Sequence, residues 1–336
     1  MIQRKNSFLS AFATACCLIC VLISRAGAQA PSTAKGQPTA KASIPRTADG
    51  RPDLQGIWSF ATVTPLERPA ELAEKEFFAS DKEAADYEAD VRKRTNADRR
   101  DGPAEQDVGR AYNDFWYDRG TKVTKTRRTS LIIDPRDGKV PPLTPAARER
   151  QAERSAANRG HEFDGPENRP LAERCIIWPS TGPPMIPTAY NNNIQIVQAP
   201  GYVAILVEMI HDMRIIPLDS RAHIPQNVRQ MKGDSRAHWD GDTLVVETTN
   251  LTNRTAFRGA SENMRVTERF RRVDVDTLLY QFTVDDPETF TTPWTVEIPV
   301  TKSTGPVFEY ACHEGNYAMS GGLAGARAEE GKVGLR

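Results

Sequence analysis

Residues 190–219 read YNNNIQIVQAPGYVAILVEMIHDMRIIPLD, and residues 233–250 read GDSRAHWDGDTLVVETTN. These two stretches decide the fold. Ile194–Gln198 is a short run rich in β-branched residues, followed by Ala199-Pro200-Gly201. Proline fixes φ and glycine supplies φ > 0, so a reversal belongs there. Tyr202–Met209 is a second run, apolar until Glu208, which predicts a strand covered on both faces or one whose outer face is covered by another segment. Met213–Leu218 is a third. Pro217 belongs at its end or on an edge, because proline donates nothing to a ladder. Asp240-Gly241-Asp242 sits between Ser235–Trp239 and Thr243–Thr249, a strong hairpin signal.

The pattern continues downstream. Arg265–Val273 and Leu278–Val284 flank a second tight turn at residues 274–277. Trp294–Thr301 follows with Pro299 near its end, and Val307–Tyr310 predicts a short last strand. Short strands, tight turns and no β–α alternation predict a mainly β fold. It is an antiparallel barrel or strongly curved sheet with a helical N-terminal insert packed on it.

Upstream of that core, residues 1–28 have the form of a signal peptide. Arg4 and Lys5 precede the apolar run Phe8–Ile23, and Ala26-Gly27-Ala28 offers a small-residue cleavage site. Residues 29–50, rich in Ala, Ser, Thr, Pro, Lys and Gly, predict a disordered leader. Residues 51–170 predict an opening strand around Gly56-Ile57-Trp58, a helical insert and a hairpin. Residues 65–100 have helical patterning, with Ser80-Asp81-Lys82-Glu83 as a capping box. The aromatic run 112–117 (YNDFWY) reads as a packing patch under a loop in preference to a ligand-stacking site. Ser130–Ile133 and Lys139–Leu143 predict a hairpin around Asp134-Pro135-Arg136-Asp137-Gly138. Thr144-Pro145 starts a helix to about Asn158, with Thr as cap and Pro at the first position. Residues 171–319 are the antiparallel core, and 320–336 read as a flexible tail.

The 336 residues are 39% hydrophobic with zero formal net charge. Neutrality gives no electrostatic reason to expect nucleic acid as a partner. No stretch after the signal is long and apolar enough to span a bilayer. Removing the signal leaves two cysteines, Cys175 and Cys312, and export to an oxidising compartment makes a disulfide between them the expectation.

ERC (173–175), the two opening stretches, ERFRRVDVDTLLYQFTVDDP (268–287), PWTVEIP (293–299) and EYACHEGNY (309–317) occur in this order. Together they resemble a family of exported bacterial proteins of unknown function. That resemblance implies a periplasmic or secreted protein and supplies no activity. Gly56-Ile57-Trp58, WDGDTLVVET and DTLLYQFTV also resemble hairpin strands of calycins, the lipocalin-like barrels. That resemblance implies that Trp58 closes the barrel floor.

Two function classes stay open. One is a binding protein that holds a small, partly apolar molecule in the barrel pocket. Glu208, Arg214, Arg236, Trp239, Tyr190 and Asn192 are its candidate ligand contacts. The other is a periplasmic hydrolase or lyase. His211 with Asp212, His238 with Asp240 and His313 with Glu314 each pair an imidazole with a carboxylate, which suits acid–base chemistry or a divalent metal. No spacing here is a recognised metal motif, and strand alternation lets only His238 and Asp240 share a face. Arg214, Arg221 and Arg236 read equally as ion-pair partners for Asp212, Asp219 and Asp234. The sequence names no cofactor and no oligomeric state.

Overall fold

The structure, a computed structural model, describes residues 43–105, 113–219, 221–255 and 257–333. The signal segment, the leader up to residue 42, Tyr112 and the last three residues of the tail lie outside them. Among the described residues, three α-helices and ten strands form the fold. The strands are β1 (Gly56–Ser59), β2 (Ile132–Asp134), β3 (Asn193–Ala199), β4 (Tyr202–Val207) and β5 (Asp212–Pro217). They continue with β6 (Asp234–Asp240), β7 (Thr243–Thr249), β8 (Arg265–Asp274), β9 (Thr277–Asp285) and β10 (Trp294–Lys302).

One antiparallel sheet holds them in the order β5-β4-β3-β1-β10-β9-β8-β7-β6, with β2 also on β10. The terminal strands β5 and β6 come into contact without pairing, so the sheet is a barrel closed except for one seam. The single long-range rearrangement has a simple cause. β1 is only four residues long and covers one end of β10, at Trp58↔Lys302 and Ser59↔Thr301. The other end of the same edge takes β2, at Val296↔Ile132 and Thr295↔Asp134.

Alternation sets what faces inward. Trp294, Val296, Ile298 and Val300 of β10 are buried, as are Leu278, Tyr280, Phe282 and Val284 of β9 and Val266, Glu268, Phe270 and Arg272 of β8. At one end the floor is closed. Trp58 is fully buried, its indole N–H donates to the Leu54 carbonyl at 2.9 Å, and the Arg272 guanidinium lies 5.3 Å from its ring centre. Arg272 also donates to the carbonyls of Asp53, Asp274 and Val275. The first strand's tryptophan thus fills this end of the barrel interior.

The turn chemistry read from sequence holds at β3–β4 (Ala199↔Tyr202), at β6–β7 (Asp240↔Thr243) and at β8–β9 (Asp274↔Thr277). Pro217 ends β5. The helices are α1 (Asp81–Thr95), α2 (Pro145–Asn158) and α3 (Tyr317–Val333). Ser80 accepts from the Glu83 N–H at 3.1 Å, and Glu83 reaches back to the Ala79 N–H at 2.7 Å. Thr144 accepts from the Ala147 N–H at 3.1 Å, with Pro145 first in the helix.

Several expectations are corrected. Residues 139–143 form no strand, and β2 pairs with β10 instead of folding back on them. Val307–Tyr310 is irregular. The residues expected to be a loose tail continue α3 to Val333. The described part of the leader is tied down: Arg46 forms a bridge with Pro52 and a two-bond ion pair with Asp242. Among the described residues of the 112–117 run, Phe115 and Trp116 are exposed and Tyr117 packs against Tyr190. β4 is not covered on both faces. Its outer side and those of its neighbours expose Val197, Tyr202, Met213 and Ile215.

Candidate functional site

The end of the barrel opposite the Trp58 floor is where β3, β5, β6, β8 and β10 begin and β4, β7 and β9 end. The Pro-rich segment before β3 lies across it. Met185 of that segment is buried, and its N–H donates to the Tyr280 hydroxyl at 2.9 Å. The prolines that deny this segment regular structure leave it free to follow the barrel rim. Opposite it, the chain after β7 returns through Leu251 and Phe257. The Phe257 ring stacks on Trp294 at 5.9 Å.

Between the two lies a cavity of about 360 Å³. Its walls are Leu171, Ile177, Trp178 and Pro183 on one side and Met231, Leu251 and Phe257 on the other, with Arg254 and Arg258 among the lining residues. Arg258 is paired with Glu67 at 2.6 Å. Arg254 is exposed and has no ion-pair partner among the described residues.

The barrel interior below is filled with side chains. Arg214 of β5 crosses to Glu268 of β8 in a two-bond ion pair, at 2.7 and 2.9 Å. The Tyr280 hydroxyl donates to the same carboxylate at 2.7 Å. All three are buried. Burial pulls against the Arg214 charge, but Glu268 outweighs it and raises its pKa. Burial and then Glu268 push the Tyr280 phenol well up, so it stays a donor.

At the seam, Lys232 touches the Asp212 carboxylate. Burial alone pulls the Lys232 ammonium down to about 8. At that value it still carries its charge at neutral pH, against the Asp212 carboxylate. Beside it, Asp234 binds Arg236 at 3.1 Å and the His223 Nδ1 at 2.8 Å.

The predicted site residues separate into three groups. His211, His238 and His313 are all exposed, on the β4–β5 connection, the outer face of β6 and the segment before α3. Among the described residues no group of three His, Cys, Asp or Glu gathers to hold a metal. Asp240 is exposed beside Arg269 at 3.7 Å, Asp212 is held by Lys232, and Glu314 lines a different groove. Of the predicted ligand contacts, Arg214 is used inside the barrel by Glu268 rather than by Asp212. Arg236 pairs with Asp234, and Arg221 with Asp219, as the alternative reading had it.

Glu208 and Asn192 are buried organisers of the rim. Glu208 accepts from the Asn193 N–H at 3.1 Å, from its side-chain amide at 3.0 Å and from the Phe308 N–H at 2.9 Å. Asn192 donates to the carbonyls of Asp118 at 2.6 Å and Thr188 at 2.9 Å. Trp239 packs on the core side of β6, with Arg51 5.7 Å from its ring centre. Tyr190 faces the aromatic groove described below.

Sequence reasoning missed the His223–Asp234 pair and the cavity walls. The two partners are eleven residues apart across an irregular link, and only the fold brings the Pro-rich segment to the loop after β7. Cys175 and Cys312 are joined, with a Cα separation of 5.7 Å, as expected. No family model, curated protein or solved structure matches the chain.

Proposed function

We propose that this is an exported protein that binds a small, partly apolar molecule at the open end of its barrel. The observation that carries the reading is the cavity between the Pro-rich segment and the loop after β7. It has apolar walls, a volume suited to a small ligand, and an arginine at its lining that has no ionic partner among the described residues. Arg254 supplies charge for an acidic head group, and Leu171, Ile177 and Leu251 take the apolar body. An apolar acid, such as a medium-chain fatty acid, therefore fits better than a neutral molecule. The Cys175–Cys312 bridge supports export, because such bridges persist in oxidising compartments.

The enzyme reading through His211, His238 and His313 has no such support, since those side chains stand apart on exposed positions. The test is a titration of the purified protein with decanoic acid and with decanol, followed by tryptophan fluorescence and calorimetry. The acid should bind more tightly than the alcohol. Arg254→Ala should remove that difference, and Ile177→Trp should block both by filling the cavity. Absence of binding by either molecule overturns the reading. Export is checked by mass spectrometry of periplasmic protein, which should begin at Gln29.

A further inference from the structure

A second groove lies on the other side of Trp178, and its chemistry is the reverse of the first. It has a volume of about 370 Å³ and is open to solvent. Its aromatic lining is Trp178, Tyr190 and Tyr310. The Tyr190 and Tyr310 rings are nearly parallel, 13° apart in plane with centres 6.5 Å apart, and Trp178 stands 6.3 Å from Tyr190. The remaining polar lining is Glu173, Glu314 and Asn316, with no Lys or Arg.

Glu173 is occupied by Arg169 at 2.8 Å. Glu314 is exposed and has no ion-pair partner among the described residues. The Cys175–Cys312 bridge and a hydrogen bond from Asn316 to the Glu173 carbonyl at 2.9 Å tie the two sides of the groove together. The aromatic faces are thus held by the covalent frame rather than by a free loop.

Aromatic faces carry negative potential, and several of them beside a carboxylate attract a large, weakly hydrated cation. We propose that this groove binds a methylated ammonium ion, with Trp178, Tyr190 and Tyr310 around the methyl groups and Glu314 as counter-ion. A small ammonium or an alkali ion keeps its water and gains less from the rings, so the alkylated ion is the better ligand. A sugar could also stack on tyrosine and tryptophan. A carboxylate with no ion-pair partner among the described residues, and a lining without Lys or Arg, favour the cation.

The site stands on its own residues and is independent of the apolar-acid cavity, apart from the Ala172 and Trp178 wall the two share. The experiment titrates the full chain, disulfide intact, with choline and with its uncharged isostere 3,3-dimethylbutanol, read by tryptophan fluorescence and calorimetry. Choline should bind about tenfold or more tightly than the isostere. Glu314→Gln should weaken choline by about fivefold, and Tyr310→Leu by about tenfold, with Arg254→Ala without effect. Both altered side chains are partly or fully exposed, and unchanged circular dichroism and urea midpoints will confirm that the variants fold. Equal affinity for choline and the isostere overturns the proposal in favour of an apolar groove. Binding of a neutral saccharide in place of choline overturns it in favour of a carbohydrate site. No binding of choline up to about 50 mM overturns it outright.

Discussion

Removing the charge of Glu268 should cost a large part of the protein's stability. Glu268 is 0% exposed and accepts three hydrogen bonds, two from Arg214 and one from the Tyr280 hydroxyl. Arg214 is 6% exposed, and its Nε has no partner among the described residues, so Glu268 supplies most of what replaces its hydration. In Glu268→Gln the guanidinium stays buried and uncompensated. The new amide NH₂ also faces donors on Arg214 or Tyr280. Breaking a buried pair in this way costs about 3–5 kcal/mol, against a total stability of about 5–15 kcal/mol for a natural domain.

Arg214→Met should cost a similar amount, since it strands the carboxylate instead. The double variant Arg214→Met/Glu268→Gln should recover most of the loss. It leaves no buried charge, and the Gln oxygen still accepts from Tyr280. Urea unfolding followed by circular dichroism, with the disulfide intact, gives all four values. A loss below about 1 kcal/mol for Glu268→Gln would refute the reasoning, as would a double variant that costs the sum of the singles.

Three further outcomes are expected. Burial already pulls the folded Lys232 ammonium down to about 8 from the ordinary 10.5, and Asp212→Asn removes the carboxylate that faces it, so the variant's folded value should lie no higher. The unfolded chain then binds more protons between those values. The variant should therefore lose stability at pH 7 and regain it as pH rises from about 8 towards 10.5. Urea midpoints at pH 7 and pH 9.5 check this, and a flat difference from wild type across that range would sink it. Cys175→Ser/Cys312→Ser opens a loop with a sequence separation of 137 residues, so it should lower stability by about 2–5 kcal/mol in the same assay. Ile215→Lys on the outer face of β5, 65% exposed, should change stability by less than about 0.5 kcal/mol and raise solubility.

The sequence by itself determined the local structure. Pro200-Gly201 and Asp240-Gly241 fix hairpins through backbone preference. Alternation in β8, β9 and β10 fixes which side chains face inward, and Ser80 and Thr144 cap their helices because the needed groups lie three residues apart. The reach of each of these signals is a few residues. Only the tertiary structure decided which edge of β10 takes β2, that β5 meets β6, and that Arg214 pairs with Glu268 across the barrel. These are contests between distant partners, settled by strand length and interior space. The histidine–carboxylate neighbours were legible, but nearness along the chain does not converge them: His211, His238 and His313 are exposed on a connection, an outer strand face and an irregular segment. The cavity and the aromatic groove were not legible, because an irregular, Pro-rich segment with no periodicity forms one wall of each. Its position is set by the barrel rim it covers.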